Sequence, residues 1–210
     1  MSTTNDKLTG LPLRPAFEEA LKRAIGSSDG VALALIDLDN FKEINDALGH
    51  AAGDDVLRSF AALLQEFAPG QGYRLGGDEF AVLMPDTTLE QAFLRTESLR
   101  VKAQERVRVA LGGAEQPLTI KAGVAQYPRD AKDDRGLLSA ADAALMTARE
   151  AGRNAVCLPP NEEMVMKSCY YPATSLRRLK ALAEQLKRSE SRLLREALED
   201  LFRKYDTRVG

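Results

Sequence analysis

Tryptophan is absent from the 210 residues, histidine occurs once and cysteine only twice. So few thiol and imidazole groups exclude a zinc centre or a disulfide framework, and Cys157 and Cys169 are expected as small buried hydrophobes. Long hydrophobic runs are also missing. The longest, Val31 to Ile36, is six residues, against the roughly 20 that a membrane-spanning helix needs. No apolar segment follows Met1 as a secretory signal requires, so the expectation is a cytoplasmic chain with no membrane partner. Disorder is excluded by what is present, since 44% hydrophobic and 29% charged residues suit a chain that buries a core. At 210 residues there is room for one full domain and an appendage.

The net charge of -2 conceals a division. From Met164 onward there are 11 Lys and Arg against 6 Asp and Glu, a balance of +5; the preceding residues hold 18 against 25, a balance of -7. A basic tail beside an acidic body suggests a polyanion for the tail, with a solvated helix face as the alternative on charge alone.

Hydrophobic periodicity predicts the order α-β-α-α-β-β-α-β-α-β. The predicted elements are a helix over Pro15 to Ile25, a buried strand over Val31 to Asp37, and a helix over Phe41 to Leu48 with a second starting near Asp54. A hairpin then follows, Tyr73 to Leu75 and Phe80 to Leu83 around Gly76-Gly77. The series ends with a helix over Leu89 to Val109, a strand over Leu118 to Tyr127, a helix over Leu137 to Ala151 and a strand over Asn154 to Leu158. The fold class is α/β (α+β), a central sheet flanked by helices. Pro159-Pro160-Asn161-Glu162-Glu163 breaks the pattern and serves as a linker. The division is therefore 1–158, linker 159–164 and a small unit over 165–207.

Acidic residues gather at the ends of two strands. Asp37 and Asp39 flank Leu38 at the carboxyl end of the first strand, where ligands bind in open α/β sheets. Strand alternation predicts both carboxylates on one side, and with the Leu38 carbonyl they offer hard oxygens suited to Mg2+. Asp78 and Glu79 follow Gly76-Gly77 in the hairpin turn. Taken singly, the first pair could cap a helix and the second could make a turn. Together they point to one metal held from two adjacent strands.

Arg74-Leu75-Gly76-Gly77-Asp78-Glu79-Phe80 contains the GGDEF signature, and the resemblance to the diguanylate cyclase family runs through most of residues 6 to 158. Asp6-Lys7-Leu8-Thr9-Gly10-Leu11-Pro12-Leu13-Arg14 resembles the family's opening motif, with Leu13 where asparagine is usual. The run Ile36-Asp37-Leu38-Asp39-Asn40-Phe41-Lys42-Glu43-Ile44-Asn45-Asp46, then Gly49-His50, Gly53-Asp54, Gly123-Val124-Ala125 and Ala141-Asp142 through Gly152-Arg153-Asn154 continue the likeness in the family's order.

The resemblance implies a nucleotidyl-cyclase-like sheet, and condensation of two GTP into cyclic di-GMP and two pyrophosphates by a homodimer. It also implies that Asp37, the Leu38 carbonyl, Asp78 and Glu79 hold Mg2+ (or Mn2+), with Glu79 a second-metal ligand or the acceptor of the hydroxyl proton. Asn45 and Asp54 match the positions that read guanine. Backbone N–H groups at Asn40 and Phe41, with Lys42, sit where a helix start binds phosphate. Arg149 and Arg153, four apart, are expected on one face reaching the phosphates, and lysine is the family's usual residue at the first of these positions. His50 is expected to be structural, at a helix end. Phe67-Ala68-Pro69-Gly70 stands where many relatives carry an inhibitory product-binding Arg-x-x-Asp, so inhibition through that site is expected to be absent. The likeness begins near the first residue, so no sensory segment is expected ahead of it.

The tail is built differently. A strand-like stretch over Val165 to Tyr171 precedes helices over Ser175 to Leu186 and Ser191 to Tyr205. Leu176, Leu179, Leu182, Ala183 and Leu186 stripe the first helix; Leu194, Ala197, Leu198, Leu201 and Phe202 stripe the second. So short a unit needs a second copy or a docking site to complete a core. Strand plus two amphipathic helices resembles a ribbon-helix-helix domain, with Lys187 where glycine is common. That likeness implies an interlocked dimer on double-stranded DNA. Met166, Ser168 and Tyr170 would face the groove, with Ser191 and Arg192 amides on phosphate, although a strand with Lys167 facing inward fits poorly. A plain helical dimerisation hairpin is the alternative. The leading expectation is a diguanylate cyclase dimerised by this module. The alternative is a transcription factor whose GGDEF body is a receptor for GTP or cyclic di-GMP.

Overall fold

The computed structural model describes residues 5–111, 114–159 and 171–186, and separate positions as far as 204. It divides into two compact units, Met1–Met164 and Val165–Gly210. The first contains α1 (Arg14–Ser27), β1 (Val31–Leu38), α2 (Phe41–Leu48), α3 (His50–Phe67), β2 (Gly72–Gly76), β3 (Glu79–Pro85), α4 (Leu89–Arg106), β4 (Arg108–Leu111), β5 (Ala114–Pro117), β6 (Ile120–Tyr127), α5 (Asp134–Ala151) and β7 (Ala155–Cys157).

Five strands form the central sheet in the order β2-β3-β1-β6-β7. β1 lies in the middle, antiparallel to both β3 and β6, while β7 joins β6 in parallel. This position explains its unbroken apolar run, because both faces of a central covered strand are buried. Ala32, Ala34, Ile36 and Leu38 face a core shared with Phe60 and Leu64 of α3 and Leu99 of α4. Leu33 and Leu35 face the other side, against Phe17 and Leu21 of α1 and Leu137 and Leu145 of α5. Phe60 and Phe80 meet edge-on with ring centroids 4.9 Å apart, each fully buried. Burying a side chain of this size contributes about 1.5–3 kcal/mol.

Two features place α5, which carries part of the site. The Asp133 carboxylate caps its start by accepting from the Gly136 amide at 2.7 Å. At Gly123 of β6 a Cβ would lie 2.1 Å from the Leu145 amide nitrogen, so the motif glycine lets α5 seat its backbone on the sheet.

Several expected boundaries move. The helix expected to run to Val109 stops at Arg106, and residues 108–117 form an unforeseen hairpin, β4 with β5. Val107 and Val109 are buried while Arg108 and Ala110 are exposed, a period of two that the continuing apolar content conceals. α3 begins at His50 rather than near Asp54, which makes His50 an exposed first helical residue. Cys157 is half-buried rather than buried, and Cys169 lies outside the described residues.

In the second unit the described helix is α6 (Ala173–Leu186). The expected strand over 165–171 falls almost wholly outside the described residues, as do Met166, Ser168, Tyr170, Ser191 and Arg192. Among the described residues, no helix is long and apolar enough to cross a membrane.

Candidate functional site

The end of β1 and the β2–β3 turn meet because Asp37 and Glu79 are cross-strand partners in the β1–β3 ladder. The turn that joins β2 to β3 is Gly77-Asp78, with Gly77 at φ 51, a left-handed conformation that glycine adopts without steric cost. Arg74 fixes this turn, its Nε and Nη2 donating to the Gly77 carbonyl at 3.0 and 2.6 Å. Its Nη1 is 2.6 Å from Asp6 Oδ2, an oxygen that also accepts from the amide and hydroxyl of Thr9. The opening motif therefore braces the acidic turn. Sequence reading assigned Asp6 and Arg74 no role, although both lie in runs that carry the family resemblance.

Three carboxylates occupy the turn and strand end. Burial pushes the half-buried Asp78 carboxyl above its ordinary pKa; nearby Asp37 and Glu79 push the same way, against its own backbone N–H and Arg149. Arg149 crosses from α5, its Nη2 2.6 Å from Asp37 Oδ2 and 3.4 Å from Glu79 Oε1. Its hydrogen bond to Asp37 holds the guanidinium pKa above its ordinary value. Arg14, another residue without an expected role, brings Nη2 to 3.6 Å from Glu79 Oε2 and donates from Nε to the Leu75 carbonyl. Beside Glu79 opens a cavity of about 470 Å³, bordered by Arg14, Leu75, Arg135, Leu138 and Asp142.

Two expectations are corrected here. Asp39 does not share a side with Asp37. It lies past the end of β1 and is 3% exposed. Its carboxylate accepts from the Thr119 hydroxyl at 2.7 Å and the Asn154 amide at 2.8 Å, and pairs with Lys121. The strand ends at Leu38, so alternation no longer governs the next residue; Asp39 ties β1 to β6 and β7. Nor do Arg149 and Arg153 share a face. α5 ends at Ala151, Gly152 takes φ 112, and Arg153 leaves the helix to lie 3.8 Å from Glu43 of α2.

The remaining expected residues lie around α2 and α3. Asn40 precedes α2 in a left-handed conformation and its carbonyl accepts from the Ile44 amide, leaving the first amides of α2, from Phe41 and Lys42 onward, directed out of the helix end. Phe41 packs on the core, whereas Lys42 is exposed. Asn45 lies against α3 at Gly53, where a Cβ would come within 2.0 Å of Asn45 Oδ1. Glycine at 53 thus lets the Asn45 amide lie beside the residue preceding Asp54, and both polar side chains are half-buried.

Among the described residues, no three acidic, histidine or cysteine side chains form a ready-made metal cluster. The donor chemistry nevertheless fits Mg2+, which uses one or two carboxylates and completes its shell with phosphate oxygens and water. Asp37, Glu79 and Asp78, with the Leu38 carbonyl, are hard oxygen donors and offer no competing soft ligand.

A mixed sheet with an acidic hairpin beside its central strand defines a nucleotidyl-cyclase type of fold. The family model for the diguanylate cyclase GGDEF domain matches residues 3–155, and that for the ribbon-helix-helix domain matches residues 170–206. The chain belongs to the GGDEF family and carries a C-terminal ribbon-helix-helix domain. Response regulator PleD of Caulobacter vibrioides is 39% identical over 158 residues, covering 72% of this chain and 35% of PleD. Cyclic di-GMP phosphodiesterase PdeR of Escherichia coli is 36% identical over 157 residues, covering 73% of this chain and 23% of PdeR. The chain thus spans less than half the length of these relatives. Among solved structures, the GGDEF domain of DgcB from Caulobacter crescentus in complex with c-di-GMP superposes with a TM-score of 0.67 at 30% identity, covering 75% of this chain and 96% of that one. The GGDEF domain of TpbB from Pseudomonas aeruginosa gives 0.68 at 36%, covering 74% and 94%.

Proposed function

We propose that the protein is an active diguanylate cyclase, condensing two GTP into cyclic di-GMP in a homodimer. The observation that carries this is the cross-strand pairing of Asp37 with Glu79 beside Asp78, an intact acidic hairpin at the end of the central strand. In this reading Asp37, the Leu38 carbonyl, Asp78 and Glu79 hold Mg2+ or Mn2+. When bound, such an ion neutralises triphosphate charge and stabilises the departing pyrophosphate. Asn45 and Asp54 accept from and donate to the guanine edge, and adenine, lacking N1–H and the 2-amino group, leaves them unpaired. The amides at Asn40 and Phe41, with Lys42, Arg149 and Arg153, take the phosphates. The 3′-oxygen of one GTP attacks the α-phosphorus of the other, its proton passing to Glu79 or to solvent, and the bond to the β-phosphate breaks; repeating the step closes the ring.

Residues 1–158 form the catalytic body, 159–164 the linker and 165–207 the dimerising module, in a cytoplasmic protein where GTP is abundant. Leu176, Leu182, Leu186, Leu194, Leu198 and Leu201 are each 39–49% exposed, which supports a second copy covering them. The ribbon-helix-helix match over residues 170–206 also supports contact with double-stranded DNA, and in this reading Met166, Ser168, Tyr170, Ser191 and Arg192 make that contact. It favours a second reading as well, a DNA-binding regulator whose body senses GTP or cyclic di-GMP.

The test is GTP turnover by the full chain with Mg2+, resolving products by chromatography beside Asp78→Asn. Cyclic di-GMP should form, and the variant should lose about 10³-fold in rate or more. Nucleotide binding without product at high protein concentration would contradict the cyclase reading and favour the regulator.

A further inference from the structure

Arg149 bridges the two carboxylates that face each other across β1 and β3, donating to Asp37 Oδ2 at 2.6 Å and approaching Glu79 Oε1 at 3.4 Å. The Asp37 side chain is 16% exposed and that of Arg149 36%, so the contact is partly shielded from water. A guanidinium spreads five donors over neighbouring oxygens, whereas lysine, usual at this position in the family, offers one strongly hydrated nitrogen. A divalent cation held by Asp37 and Glu79 needs the same oxygens. At contact distance the two cations repel, while phosphate gives the guanidinium an alternative bidentate partner.

Resting on the cyclase reading of this site, we propose that Arg149 is an internal competitor of the metal, releasing Asp37 and Glu79 to the cation as a nucleotide's phosphates take up the guanidinium. Metal and nucleotide then bind weakly alone and tightly together, each strengthening the other by the same factor. Arg149 is a positioning residue in this scheme as well as a phosphate ligand, and it makes loading of the site cooperative.

Mn2+ titration of the full chain, followed by the paramagnetic resonance signal of the free ion, tests this with and without a non-hydrolysable GTP analogue. Without nucleotide, Arg149→Ala should tighten Mn2+ binding about fivefold, the scale of one partly exposed charged contact, and Arg149→Lys by about twofold or more. The analogue should enhance Mn2+ affinity less in both variants than in the parent. Arg106→Ala removes the same charge away from the site, where it pairs with Glu66, and should leave nucleotide-free Mn2+ binding within about twofold. Unchanged or weaker binding in the Arg149 variants overturns the proposal. So does tightening by Arg149→Ala with no change in Arg149→Lys, or equal tightening by Arg106→Ala, since either would show net charge acting rather than the contact. Asp37→Asn separates the two levels. If it weakens Mn2+ binding while the Arg149 variants do nothing, competition alone falls; if it has no effect, the metal is not held there and the reading of the site falls with it.

Discussion

The acidic body and the basic C-terminal unit meet the demand for a buried core in different ways. In the body, Phe17, Phe60, Phe80, Leu64 and Leu99 are buried within one chain on the two faces of a central strand. In the C-terminal unit, six leucines remain about half exposed. Covering the remainder of each contributes about 1 kcal/mol. The body therefore completes its core alone and, on the proposed function, needs a second copy for chemistry. On the same proposal the small unit completes its core with a second copy. Under that proposal, attaching one to the other would supply the catalytic pair as an intramolecular encounter, raising the effective concentration of each half-site beside its partner.

The largest expected effect strikes the tail. Leu182→Glu combined with Leu198→Glu places charge on both apolar stripes and should weaken the dimer about 100-fold or more, read by sedimentation across a concentration series. The melting temperature of the body should stay unchanged; a body that unfolds with the dimer would break the comparison.

Gly53→Ala sharpens it from the other side. The added Cβ displaces Asn45 from α3, so the KM for GTP should rise about tenfold and preference over ATP should fall, with oligomeric state unaffected. Retained discrimination would remove Asn45 from guanine reading.

A smaller effect attends Asp6→Asn. Burial alone would raise the Asp6 pKa, but the Thr9 hydroxyl and Arg74 outweigh it and hold the carboxyl below its ordinary value. A depressed carboxylate pKa gives stability that is present above the unfolded value and lost as pH falls through the folded one. At pH 7 the variant should lose about 1–2 kcal/mol, a few degrees in melting temperature. The deficit should close as pH falls below about 4. A deficit independent of pH would mean that Asp6 acts by packing alone.

The smallest expected effect is on product inhibition. Residues 67–70, Phe-Ala-Pro-Gly, carry no charge with which to hold a phosphodiester, so cyclic di-GMP should not inhibit non-competitively through that surface. Strong non-competitive inhibition in initial-rate measurements would contradict this.

Legibility followed how locally each feature is specified. β1 and the acidic hairpin were readable because an unbroken apolar run and a Gly-Gly turn are contiguous signals. The β4–β5 hairpin was hidden because Val107 and Val109 extend the apolar content of α4 without a break. Asp39 was misplaced because the end of a strand is set by its ladder, here by the Asp39 amide donating to the Thr119 carbonyl 80 residues away. The Asp6–Arg74 brace spans 68 residues and the Arg149–Asp37 contact 112. Neither pairing has a sequence signature, since an exposed ion pair and a bracing one use the same residue types.

The most direct test of the link between the two regions is the specific activity of cyclic di-GMP formation as the full chain is diluted, beside Leu182→Glu/Leu198→Glu. Parent activity per chain should stay constant down to the dimer dissociation constant, and variant activity should fall in proportion to concentration. Parent and variant curves that coincide, with the variant shown to be monomeric, would mean that the C-terminal unit does not supply the catalytic pair.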